Sequence, residues 1–249
     1  MASASQTGVA RSSFTFTGRG GLIDKYFYFA MSLFIVAIVV WGFNHTVNDV
    51  LFHPAVPRPF ILWIHAAAFS GWLLLFILQS ALVRTHNVRI HRTLGWFVAG
   101  WGTLMVPLGC VTAIVLGRFD TRILHEAGAD VFEFISFGDM AIFSVWLALG
   151  IYWRRKPALH RPIFFIATCG LIGAAFGRVP YLTAPHNLTY VCVDAIICLG
   201  ALRDLIVYRR VHRIYLIALP ALAAAQYGIV YMISTPPAWW MKLAHTMMG

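Results

Sequence analysis

Seven apolar runs divide the chain, at residues 27–43, 60–83, 94–117, 131–153, 162–182, 188–207 and 214–233, with short polar stretches between them. A helix rising ~1.5 Å per residue needs about 20 apolar residues to cross a bilayer core ~30 Å thick, and every run is close to that length. The pattern therefore predicts an all-α polytopic bundle of about seven transmembrane helices. The polar Gly/Ser-rich stretch before the first run has no apolar core ahead of a small-residue cleavage site, so it does not read as a signal peptide. It is expected to be a disordered cytoplasmic tail over 1–24, leaving 25–249 as one helical domain.

Composition agrees: 60% of residues are hydrophobic, 11% are charged and the mean hydropathy is +0.75, which excludes an ordinary soluble domain. Charge then orients the bundle. With the N-terminus in the cytoplasm, 14 of the 19 basic residues fall in cytoplasmic segments, while Arg58, Arg118, Arg122 and Lys242 on the other side are balanced by Asp49, Asp120, Glu126 and Asp130. The positive-inside rule selects that arrangement, N-terminus in and C-terminus out. The net charge of +10 then reflects topology and anionic lipid headgroups at the cytoplasmic face, and nucleic acid is not expected as a partner. The expected setting is a cell membrane, the bacterial inner membrane. Trp41, Trp63, Trp96, Trp153, Trp239 and Trp240 lie near run ends, as an interfacial belt requires. Cys110, Cys169, Cys192 and Cys198 read as small apolar residues, and Gly170, Gly173 and Gly177 as a packing stripe.

Ionisable side chains within apolar runs cost about 2.5 to 3.5 kcal/mol each on insertion scales, so they must be paired or used. His65, Asp139, Arg178 and Asp194 all fall at outer-leaflet depth. The cheapest arrangement is mutual contact, with Arg178 between the two carboxylates and His65 beside them. Gln79 belongs to a second pattern: His65, Trp72, Gln79 and His86 recur every seven residues along one face of the second run. Such a seam serves an interhelical interface or, alternatively, a polar path.

At the cytoplasmic ends, His91-Arg92, His160-Arg161 and His212-Arg213 precede the third, fifth and seventh runs. With His86 these histidines are candidate ligands for a metal or haem, or a cradle for an anionic headgroup. The simpler reading leaves arginine obeying the topology rule and histidine at the interface. The segments HAAAFSGWLLLFILQSALV from His65, HRTLGW from His91 and RRKPALHRPIFFIATCG from Arg154 resemble a group of uncharacterised bacterial multi-pass membrane proteins of unassigned function. The His-Arg starts are also similar to those of membrane haem proteins, haem A synthases among them, without the Glu-x-x-His-Arg pattern. The resemblance implies a multi-pass fold and names no activity.

Absent motifs narrow the chemistry. The seventh run has no lysine for a retinal Schiff base, and the chain has no Walker loop, Gly-x-Ser-x-Gly elbow or His-Glu-x-x-His. The leading expectation is a transporter or binding protein for a small polar ligand or proton, built on His65, Asp139, Arg178, Asp194 and Gln79. Its rival is a haem- or quinone-linked redox protein carrying haem b on His86, His91, His160 or His212, and a structural or assembly role is the third. Only His65 lies well inside an apolar run, while His45, His53, His125 and His186 fall in loops. Counted by depth, the histidines therefore predict no stoichiometric haem.

Overall fold

The computed structural model describes residues 19–184 and 187–249. The elements are α1 (Arg19–Phe43), a π-helical turn (Asn48–Phe52), α2 (Ile61–Arg84), α3 (Val88–Arg122), α4 (Ala129–Phe132), α5 (Phe134–Tyr152), α6 (Pro157–Leu171), α7 (Gly173–Phe176), α8 (Pro180–Thr183), α9 (Thr189–Tyr208), α10 (Arg213–Ser234) and α11 (Ala238–Met248). There is no strand among the described residues. Most of residues 1–24 lie outside them, but α1 already begins at Arg19, within the stretch expected to be a tail.

Six stretches are long and apolar enough to span a membrane: Gly21–Phe43, Ile61–Arg84, Val88–Arg122, Ala129–Tyr152, Pro157–Phe176 and Arg213–Ser234. The seventh long helix, α9, matches them in length but carries Asp194, Arg203 and Asp204. α1 packs on α2, α7 and α9, α3 lies between α2 and α5, and α5 joins α6 and α10. The core holds Ile35, Trp72, Phe143, Phe165, Ile197 and Tyr215, while Leu33, Phe34, Leu74, Leu104, Val145 and Leu216 point outward. This is the inverted surface of a bundle made to face lipid.

Two ends follow from the connections. One, here the basic end, gathers the start of α1 and the α2–α3, α5–α6 and α9–α10 turns. There Arg203, only 7% exposed, pairs with Asp24 and with Asp204 (2.6 Å), tying α1 to α9. At the far end Arg122 donates to the carbonyl of Gly249. The two ends of the described chain thus lie at opposite ends of the bundle.

Three local departures from the apolar pattern matter for the site. α3 runs 35 residues, about 52 Å at ~1.5 Å each, well past its apolar run. The run at 162–182 is broken into α6, α7 and α8, because Val179 is extended (φ −96°, ψ 109°) ahead of Pro180, as a residue before proline prefers. The third departure is α11, an element the run pattern did not contain. Its Trp240 is 4% exposed, packs edge-on to Phe134 (4.9 Å) and donates to the Val131 carbonyl (3.2 Å), so it is a core residue of the far end rather than part of an interfacial belt.

The expected glycine stripe is not where the helices approach most closely. A Cβ on Gly173 would meet its nearest neighbour at an ordinary 3.7 Å. Gly42 of α1 instead lies against the backbone of Ala175, and a Cβ there would overlap the Ala175 carbonyl carbon at 2.7 Å.

Candidate functional site

Toward the basic end, α1, α2, α3, α5 and α6 enclose a cavity of about 740 Å³. Its wall is apolar in one part, with Trp72, Phe76, Val98 and Phe164, and polar in another, with Gln79, His91 and His160. Trp72, 1% exposed, fits because α3 offers Gly102 opposite, where a Cβ would stand 2.7 Å from the indole. The indole Nε1 donates to the Thr168 hydroxyl at 3.3 Å. Of the seven-residue seam on α2, Trp72 and Gln79 are therefore interior.

His91 and His160 are each the fourth residue of their helix, α3 and α6, and both helices start at the basic end. Equal register on neighbouring N-terminal turns brings the two rings together on the cavity wall in an edge-on arrangement: their centroids are 6.3 Å apart and their planes at 85°. Each ring has its Nδ1 engaged. His160 Nδ1 lies 2.9 Å from the Gly150 carbonyl, and its ring rests on Phe164 at 4.7 Å. His91 Nδ1 meets the side-chain amide of Gln79. That amide is best satisfied with its nitrogen donating to His91 Nδ1 and the His91 carbonyl (3.2 Å), and its oxygen accepting from the Gly95 N–H (3.1 Å).

Arg84, Arg92, Arg154, Arg155 and Arg161 also line this volume, and no Asp or Glu is among its lining residues. Arg154 lies over the Trp96 ring at 4.8 Å and donates to Ile151 O at 3.2 Å. The two helix N-termini add positive potential on the same side. The cavity thus combines an apolar interior, two imidazoles and a surplus of cationic donors.

The other two histidines of the inner set are not there. His86 is exposed in the α2–α3 turn with a left-handed backbone (φ 60°). His212 stands just before α10 and not inside its first turn, so its Nδ1 is used as the helix cap, accepting from the Ile214 N–H at 3.2 Å. It lines a separate volume of about 240 Å³ with Arg203 and Tyr208. The three His-Arg pairs look alike in sequence but differ in helical register, and only two of them converge.

The expected cluster of His65, Asp139, Arg178 and Asp194 is not assembled. No ion pair joins Arg178 to either carboxylate among the described residues. Asp139 accepts from the Tyr190 hydroxyl at 2.9 Å, and Asp194 accepts from Gln226 at 3.1 Å. Arg178 donates to the Ala174 carbonyl at 2.5 Å and stacks over Phe43 at 4.1 Å. His65 stacks on Phe69 at 4.1 Å, with its Nδ1 buried and unbonded. The cause is the break after α7: Arg178 leaves the helix that was expected to carry it, and its guanidinium turns back on its own segment. The four residues share a depth without a hydrogen bond or ion pair between them among the described residues. Of the loop histidines, His53 bonds Asn48 (2.8 Å), and His186 lies outside the described residues.

Sequence reasoning missed Gly150 and the His245–Asp130 contact. Gly150 admits Phe164, whose Cε2 stands 2.5 Å from where a Cβ would lie, and its carbonyl orients His160. At the far end His245 on α11 meets the 3% exposed Asp130 at 2.5 Å. A glycine inside an apolar run gives no signal of either role. Comparison with known protein families, with curated proteins and with solved structures found no match.

Proposed function

We propose that the protein is a membrane haem protein, in which His91 and His160 would hold one haem b without covalent attachment. The observation that carries this reading is the close pair of imidazoles, His91 and His160, on the wall of one cavity. Two imidazoles that held one metal through bonds of about 2 Å, with ~1 Å more from nitrogen to ring centre, would have their centroids about 6 Å apart. The centroid separation here is 6.3 Å. His160 has its Nδ1 on the Gly150 carbonyl, the arrangement that fixes a ligating histidine.

The surroundings support the same reading. A cavity of about 740 Å³ is within the range of cofactor sites, ~300 to 1,000 Å³. Its aromatic part suits a macrocycle, and the arginines suit two propionates, since guanidinium–carboxylate bonds are the strong charge-assisted kind. No cysteine lines it, as expected for a haem held without thioether bonds. A haem held there would supply one-electron transfer between a reduced and an oxidised carrier, with His91 and His160 holding it and the arginines placing it. A transport pocket among His65, Asp139, Arg178 and Asp194 has less support, because each of the latter three is satisfied locally.

The test is the absorption spectrum of protein purified from cells supplied with iron and haem precursor. A Soret band near one haem per chain, abolished in the double variant His91→Ala/His160→Ala while the protein stays monodisperse, is expected. A colourless preparation overturns the reading. If that preparation retains anionic phospholipid in proportion to the cavity arginines, the volume is a lipid site.

A further inference from the structure

His91 and His160 hold equivalent places in their helices, but their hydrogen-bond partners are not equivalent. A carbonyl oxygen can only accept, so Gly150 O, 2.9 Å from His160 Nδ1, keeps the ring proton on Nδ1 and leaves Nε2 a bare lone pair. Phe164 braces the same ring at 4.7 Å, and Phe164 in turn fills the space over Gly150. His160 is preset to bind a metal.

His91 is not. The Gln79 amide can present either its nitrogen or its oxygen, and the better satisfied choice turns the nitrogen to His91 Nδ1. With Nδ1 accepting, the neutral ring carries its proton on Nε2, where a metal would attach. For His91 to ligate, the amide must turn over. It then gives up its bonds to the Gly95 N–H and the His91 carbonyl, and the ring proton moves from Nε2 to Nδ1.

From this asymmetry we infer that His160 is the permanent ligand of the haem site and His91 a displaceable one, so that a small neutral diatomic ligand such as carbon monoxide binds ferrous iron on the His91 side. Gln79 is a positioning residue: its amide orientation sets how readily His91 leaves. The inference rests on the haem reading above and deepens it, turning a closed electron carrier into a site that also accepts an external ligand.

The full-length protein with haem, reduced and mixed with carbon monoxide, decides the matter through its Soret band and the rate of adduct formation. The wild type is expected to form the adduct. His91→Ala should lose less haem affinity than His160→Ala and bind carbon monoxide about tenfold faster or more, whereas His160→Ala should lose haem affinity by the 10- to 100-fold typical of ligand-shell damage, or more. Gln79→Glu supplies a carboxylate that accepts from Nδ1–H and frees Nε2, so it should slow adduct formation about tenfold. Size-exclusion profiles check folding, and if His91→Ala fails that check, Gln79→Glu against wild type still decides. Equal haem loss in the two histidine variants, or an unchanged rate in Gln79→Glu, overturns the inference while leaving the haem reading intact. A wild type without a Soret band overturns the haem reading itself.

Discussion

The two ends of this bundle treat their polar residues in opposite ways. At the far end four charged groups each find a partner close by, Asp139 with Tyr190, Asp194 with Gln226, Asp130 with His245 and Arg178 with the Ala174 carbonyl, while His65 Nδ1 and Glu133 Oε2 are buried without one. At the basic end His91, His160 and five arginines turn toward one shared volume without a carboxylate among its lining residues. Low-dielectric surroundings penalise unpaired groups at the far end, whereas Arg92, Arg154, Arg155 and Arg161 at the basic end are exposed. Local pairing is how a structural polar group is tolerated, and convergence of unneutralised donors is what a ligand site requires. Depth in the membrane, equal for the four far-end residues, did not distinguish the two cases.

The comparison breaks most visibly if damage at one end spreads to the other. Trp240→Ala removes a 4% exposed indole packed against Phe134 and Phe137, together with its bond to Val131. Truncating a buried Trp costs about 3 to 5 kcal/mol, so a comparably large loss in detergent unfolding stability is expected. The absorption spectrum of the folded fraction should stay that of the wild type. A changed spectrum would mean that the far-end cap and the cavity form one cooperative unit.

The arginine surplus predicts the next largest effect, and it is confined to the basic end. Arg92→Gln combined with Arg161→Gln should weaken haem retention about 100-fold, since two charge-assisted hydrogen bonds at ~1.5 kcal/mol each correspond to that factor. Titration of the apoprotein with haem measures it. An unchanged affinity would show that these arginines serve topology alone.

Much of the fold was legible because apolar length reports directly on membrane crossing, and the bundle carries a helix on every expected run. The departures occur where length is not the deciding variable. α11 is amphipathic and only 11 residues long, so no span pattern marks it. The break at Val179–Pro180 is a backbone preference inside an apolar run. For the site, the His-Arg pairs were visible as a pattern, but their fates depend on register: three residues inside the helix for His91 and His160, one residue before it for His212. Whether two such turns face each other depends on helix order, which one sequence does not contain. Counting histidines by depth gave the expectation of no stoichiometric haem. It scored each imidazole alone and placed the inner set at the membrane edge, without the cavity that α1, α2 and α5 close around the pair.

A smaller effect separates local from shared pairing at the far end. Asp139→Leu strands the Tyr190 hydroxyl and should cost about 1 to 3 kcal/mol, the penalty of an unsatisfied buried donor. Adding Tyr190→Phe should recover most of that loss, because removing both partners leaves nothing unpaired. Chemical denaturation of the two variants measures the recovery. If Tyr190→Phe deepens the loss instead, the hydroxyl has a second partner and the pairing is not local.

The smallest expected effect is the most discriminating, because it is a coupling near zero. If Arg178 bridged the carboxylates, Arg178→Leu and Asp194→Leu would be strongly non-additive, since each single change would strand a buried charge that the double change removes. In the structure the two residues share no partner: Arg178 is held by Ala174 and Phe43, on its own segment and on α1, and Asp194 by Gln226 on α10. Residues without common partners add to within ~0.5 kcal/mol, so the double variant should show the sum of the two single losses within that margin. A double-mutant cycle in detergent measures this directly. A coupling of 1 kcal/mol or more would place Arg178 against Asp194, reassemble the far-end cluster and restore the case for a ligand site there.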